Sequence, residues 1–149
     1  MEDQQELEKI VTELNLYKNQ AEMIQQQVEA IQGSILEIET LETTLADIEN
    51  KDSLNTLVPI GAGSFVNAEI NKTDKIIMSV GAGVAITKTP EEAKETLTTQ
   101  KNELNDNLNK MIDNLQKISN VINQLTPKAE QLMAKTQGAQ NPQSNNPVN

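Results

Sequence analysis

From Leu7 onward the apolar residues recur at unbroken steps of three and four: Leu7, Ile10, Leu14, Tyr17, Ala21, Ile24, Val28, Ile31, Ile35 and Ile38. That alternation is the repeat of a left-handed coiled coil. Leu41, Leu45 and Ile48 extend it, with two successive steps of three at Ile35, Ile38 and Leu41. A doubled short step is a stammer, which overwinds the coil locally. Gly33 is the one helix-breaking residue type within 3–50, where proline is absent. The pattern predicts a single helix over residues 3–50, about 70 Å long at 1.5 Å per residue.

A second helix is predicted over 90–135. Thr89 suits the N-cap, Pro90 the first helical position and Glu92 the return bond of a capping box. Its seam runs Leu97, Lys101, Leu104, Leu108, Met111, Leu115, Ile118, Ile122, Leu125, Ala129 and Leu132, again by fours and threes, with Lys101 the one polar member. Pro127 removes a backbone hydrogen bond and is expected to kink or fray the last turns. Residues 137–149 are polar and rich in Asn, Gln and Pro, the composition of a disordered tail.

Between the helices, in residues 57–88, the period changes to that of strands. Short β-favouring runs at Leu57–Ile60, Ser64–Ile70, Lys75–Val80 and Val84–Thr87 are separated by Gly61-Ala62-Gly63, Asn71-Lys72-Thr73-Asp74 and Gly81-Ala82-Gly83. They read as two β-hairpins, each turning at a Gly-Ala-Gly, and the repeated tripeptide suggests duplication of one hairpin. Thirty-odd residues folded as hairpins cannot run back along a ~70 Å helix. The two helices are therefore expected to be antiparallel, with the β segment at one end and both termini at the other. The fold class is α+β, mainly α: an antiparallel two-helix coiled coil with two central hairpins.

The hairpins carry Ile60, Phe65, Val66, Ile70, Ile76, Ile77, Met78, Val80, Val84 and Ile86. Burying this set within one chain would not offset the conformational entropy of ordering the segment, and the outer strands would keep open edges. Pairing with hairpins of other chains, closing into a β-barrel, answers both deficits, so these ten residues are expected to form an oligomerisation core. At the opposite end Leu7, Ile10, Leu14, Leu125 and Leu132 close the seam, while Val11 and Met133 lie beside it without an obvious partner. Frayed ends would offer these apolar groups to an unfolded chain, with the low specificity that suits varied partners. For the five seam residues, simple packing to the end of the coil is the competing reading.

Composition removes most other functions. Cysteine and histidine are absent, and with them thiolate chemistry, the commonest acid–base group and the usual soft metal ligands. No cofactor, metal site or catalytic residue is expected. All twelve basic residues are lysine, so bidentate arginine recognition of phosphate is missing. The net charge of −10 resides almost wholly in residues 1–52, and an acidic body does not bind nucleic acid or anionic lipid. No apolar run is long enough to span a bilayer and the polar N-terminus is no signal peptide, which points to the cytoplasm. Neither Gly-Ala-Gly continues into a phosphate loop, since the second leads into another strand. The acidic residues mostly lie off the seams, as solvated helix faces.

The sequence Leu57-Val58-Pro59-Ile60-Gly61-Ala62-Gly63-Ser64-Phe65-Val66, with Val80-Gly81-Ala82-Gly83-Val84 and the flanking heptad helices, resembles the archaeal prefoldin alpha-subunit family over residues 3–135. The resemblance implies a hexamer of two alpha and four beta subunits, the beta subunits giving one hairpin each to a double β-barrel. It implies that six coiled coils hold non-native protein at their tips without ATP and pass it to a group II chaperonin. A structural or tethering coiled coil, with partner helices and no clients, is the alternative.

Overall fold

The computed structural model describes residues 1–71 and 74–140. Helix α1 spans Glu2–Ile48, strands β1 Leu54–Gly61, β2 Ser64–Ile70, β3 Ile76–Gly81 and β4 Val84–Lys88 follow, and helix α2 spans Pro90–Gln140. Two compact units divide the chain: residues 1–30 with 108–149, and residues 31–107.

In the first unit, every seam residue from Leu7 to Val28 on α1 and from Leu108 to Leu132 on α2 is at least partly buried. Ile10, Leu14, Ala129 and Leu132 form its core, with Leu7, Ile122 and Leu125 packed against them. The early residues of α1 thus meet the late residues of α2. Helix α1 begins at Glu2. Helix α2 runs through Pro127 and continues to Gln140, five residues beyond the expected end at 135. Gln137, Ala139 and Gln140 favour helix and outweigh Gly138, and Pro142 disfavours α geometry only in the residue just before it. The remainder of the expected tail, 141–149, lies outside the described residues.

The second unit holds the ends of the helices that flank the strands. Leu45, Ala93 and Leu97 are its buried core, joined by Ile38 and Leu41 from α1 and by Ile76 and Met78 from β3. Pairing runs antiparallel here: Lys101 meets Glu39 and Glu42, and Lys94 is ion-paired with Glu49. Leu41 and Leu45 stay in the seam across the stammer. The start of α2 is fixed by the expected capping box. The Thr89 N–H donates to Glu92 Oε2 (3.2 Å) and the Glu92 N–H to Thr89 Oγ1 (3.2 Å).

Lys101 is the polar seam residue, and α1 supplies two carboxylates to it: Nζ lies 3.3 Å from Glu42 Oε2 and 3.5 Å from Glu39 Oε1. The hydrogen bond to Glu42, with the charges of both glutamates, holds the ammonium pKa above the ordinary lysine range. A raised folded-state value means that the pair stabilises fully below the unfolded lysine pKa and stops doing so as pH climbs through the folded one. Thermal melts from pH 8 to 12 should therefore show the wild type losing its advantage over Lys101→Met in the most alkaline samples. An unchanging gap would show that the pair contributes nothing charge-dependent.

The strands form two separate two-stranded antiparallel sheets, β1–β2 and β3–β4. Strand β1 begins at Leu54, earlier than expected, because Leu54, Asn55 and Thr56 pair with Ile70, Glu69 and Ala68. Each hairpin turns through Ala-Gly: φ is 49° at Ala62 and 74° at Gly63, 53° at Ala82 and 74° at Gly83. Positive φ at both central residues is what a tight type I′ connection demands, and it matches the right-handed twist of the strands. Both hairpins also carry the same irregularity one step before the turn. Pro59 pairs with Phe65 and Gly61 with Ser64, leaving Ile60 as the extra residue; Ser79 pairs with Ala85 and Gly81 with Val84, leaving Val80. The repeat is thus a repeat of backbone geometry as well as of sequence.

Candidate functional site

Two apolar surfaces stand out. The larger is on the hairpins. Cross-strand partners share a face, so β1–β2 sets Val58, Val66 and Ile70 on one side and Leu57 and Phe65 on the other. In β3–β4 the pairs Ile76–Lys88 and Met78–Ile86 share one face and Ile77–Thr87 the opposite one. Of the ten residues expected in an oligomerisation core, Ile60, Phe65, Val66, Ile70, Ile77, Val80, Val84 and Ile86 are exposed, Ile77 at 74% and Phe65 at 57%. Two-stranded ribbons with apolar groups on both faces and open outer edges are unstable in water as they stand.

Ile76 and Met78 depart from the expected set. They pack on Leu45, Ala93 and Leu97 of their own chain. Strand alternation explains the difference: Ile76 and Met78 point one way and Ile77 the other, and small Ala93, wholly buried, leaves room for the first pair. These two residues anchor the second hairpin and leave Ile77 facing outward. Leu57 and Val58, also exposed, extend the apolar surface beyond the expected ten. Their signal was present in the run Leu57–Ile60. Ala93 extends the α2 seam one step before Leu97, a position that a small side chain makes inconspicuous.

The smaller surface lies at the helix termini of the first unit. The structure brings Leu7, Ile10, Leu14, Leu125 and Leu132 together in one cluster, with Ile10, Leu14 and Leu132 buried. Val11 and Met133 are exposed, and so is Leu16. The expected seven thus divide into five that cover one another and two that face solvent. Among the described residues no group of acidic side chains could hold a metal ion, and apolar side chains define both surfaces.

A family model for prefoldin subunits matches residues 17–135. The chain belongs to the prefoldin family. It is 46% identical over 138 residues to the prefoldin subunit alpha of Methanobrevibacter smithii, covering 93% of this chain and 94% of that one. With the prefoldin subunit alpha of Methanosphaera stadtmanae it shares 45% identity over 136 residues, 91% and 98% of the respective lengths. A chain from the cryo-EM structure of filamentous PFD from Methanocaldococcus jannaschii superposes with a TM-score of 0.51 at 22% identity, over 86% of this chain and 98% of that one, and shares its fold. As a prefoldin, the chain is a chaperone-type subunit and not an enzyme. The two helices with two small antiparallel hairpins are the prefoldin fold, and among the described residues no helix is long and apolar enough to cross a membrane.

Proposed function

We propose that this prefoldin chain is the alpha-type subunit of a cytoplasmic hetero-hexamer of two alpha-type and four beta-type subunits, and that the hexamer holds non-native polypeptide without ATP. The observation that carries the assembly is the exposed apolar surface on both faces of the first hairpin and on the outward side of the second, where Ile77 is exposed. Neighbouring hairpins that close into a barrel would cover those side chains and pair the open strand edges. Segment 57–88 then serves assembly, and segments 3–50 and 90–135 are the arms. Clients are taken at the arm ends, where Val11 and Met133 are exposed beside the Leu7, Ile10, Leu14, Leu125 and Leu132 cluster. Flexible Met and scattered aliphatic groups suit contact with many sequences. Transfer to a group II chaperonin completes the reading.

The test uses the chain co-expressed with a beta-type prefoldin subunit. Light scattering should give a six-chain mass, and the complex should suppress aggregation of a denatured test protein at stoichiometric amounts without nucleotide. Removing residues 1–14 and 125–149 should leave that mass unchanged and abolish the suppression. A complex that assembles but never affects aggregation supports the tethering alternative. Suppression that survives the trimming moves the client site elsewhere.

A further inference from the structure

The end cluster contains a contradiction that the exposed residues alone do not resolve. Its largest aliphatic groups, Ile10, Leu14 and Leu132, are buried in the closed chain. We propose that Pro127 is a hinge at which the last turns of α2 swing away, uncovering Ile10 and Leu14 for a non-native polypeptide. This rests on the client-capture reading above and adds its control.

Three observations place the hinge. Pro127 lies inside α2, between the seam residues Leu125 and Ala129. Proline has no N–H for the Asn123 carbonyl, and its ring crowds that carbonyl, so the helix is weakest at this turn. Next to it, Thr126 Oγ1 donates to the Ile122 carbonyl at 2.7 Å, a back-bond that bends helices. Both devices therefore act within one turn. Beyond them the helix is lightly held. Among residues 128–138 Ala129 and Leu132 are the buried ones, and the last turn has no basic residue to complement the negative end of the helix dipole.

The core cluster straddles this turn. Ala129 and Leu132, which follow Pro127, are buried with Ile10 and Leu14, while Ile122 and Leu125, which precede it, pack against that cluster. Bending at 123–127 would withdraw Ala129 and Leu132 together while Ile122 and Leu125 keep their places on α1. Such a motion gives up the burial of Ala129 and Leu132 but leaves the seam before Pro127 in place, so it is a local opening below the cost of global unfolding. It also makes the apolar site transient, so the resting chain does not display it permanently.

The experiment compares wild type, Pro127→Ala and Pro127→Gly as full chains in complex with the beta-type partner. Alanine restores the backbone donor and a strong helix former; glycine keeps the helix weak without the ring. Amide hydrogen exchange in 128–138 and 7–14 should slow by about tenfold or more in Pro127→Ala, with 110–122 unchanged, and aggregation suppression should fall several-fold at constant complex mass. Pro127→Gly should keep fast exchange and suppression. Exchange that is unaffected by Pro127→Ala overturns the hinge, whatever the aggregation assay gives. Slower exchange with undiminished suppression overturns the link between opening and capture. Failure of the client reading itself is seen separately, as full suppression by the complex trimmed of residues 1–14 and 125–149.

Discussion

Phe65→Asp should release the chain from its complex while leaving the chain itself folded. Phe65 is already largely exposed in the single chain, so a charge there costs the isolated fold little. In an assembled β core the same carboxylate would be buried without a partner, at about 3–5 kcal/mol, enough to weaken association by a hundredfold or more. Ile77→Asp should behave alike, because Ile77 faces outward on β3. Met78→Asp should not: Met78 packs on Leu45, Ala93 and Leu97, so the charge would disrupt the second unit before any partner is met. Light scattering reads the mass and circular dichroism the helix content. An intact complex with Phe65→Asp would show that the hairpin surface is not the assembly surface.

The second large effect is expected inside the chain. Leu97→Ala should lower stability by about 2–4 kcal/mol, since Leu97 is 2% exposed against Leu45 and Ala93. That core is small, and the cavity has few neighbours able to collapse into it. Thermal unfolding followed at 222 nm should shift down by roughly 5–15 °C for a chain of this size. Leu104→Ala, at a partly buried seam position, should cost less. Equal shifts for the two would mean that the Leu45–Ala93–Leu97 cluster has no special weight.

Most of the helical architecture was legible because one simple rule governs it. The three-and-four spacing names the residues that face the partner helix, and each one from Leu7 to Ile48 and from Leu97 to Leu132 is buried to some degree. The capping box at Thr89 and the Ala-Gly turns were equally legible, as local chemistry decides both. What escaped depends on neighbours that sequence does not pair. Nothing in the run Ile76-Ile77-Met78 says which alternate side meets the helix ends; Ala93 decides it. Likewise the antiparallel reading places Ile10 and Leu14 at the same end as Ala129 and Leu132, but the period cannot choose between mutual packing and exposure, and the structure buries all four. The bulges at Ile60 and Val80 were hidden too, for register is a property of the pair of strands.

Those two bulges, with their matching turns, would give the chain a valence under the proposed assembly. It would carry one joining element twice over, as a bifunctional monomer carries two reactive groups. Bifunctional units on their own either grow end to end or close into rings, according to the angle at each joint. Units with a single joining element cap such growth. The size of any assembly built from this chain should then be set by the supply of caps relative to connectors, through stoichiometry as much as through affinity.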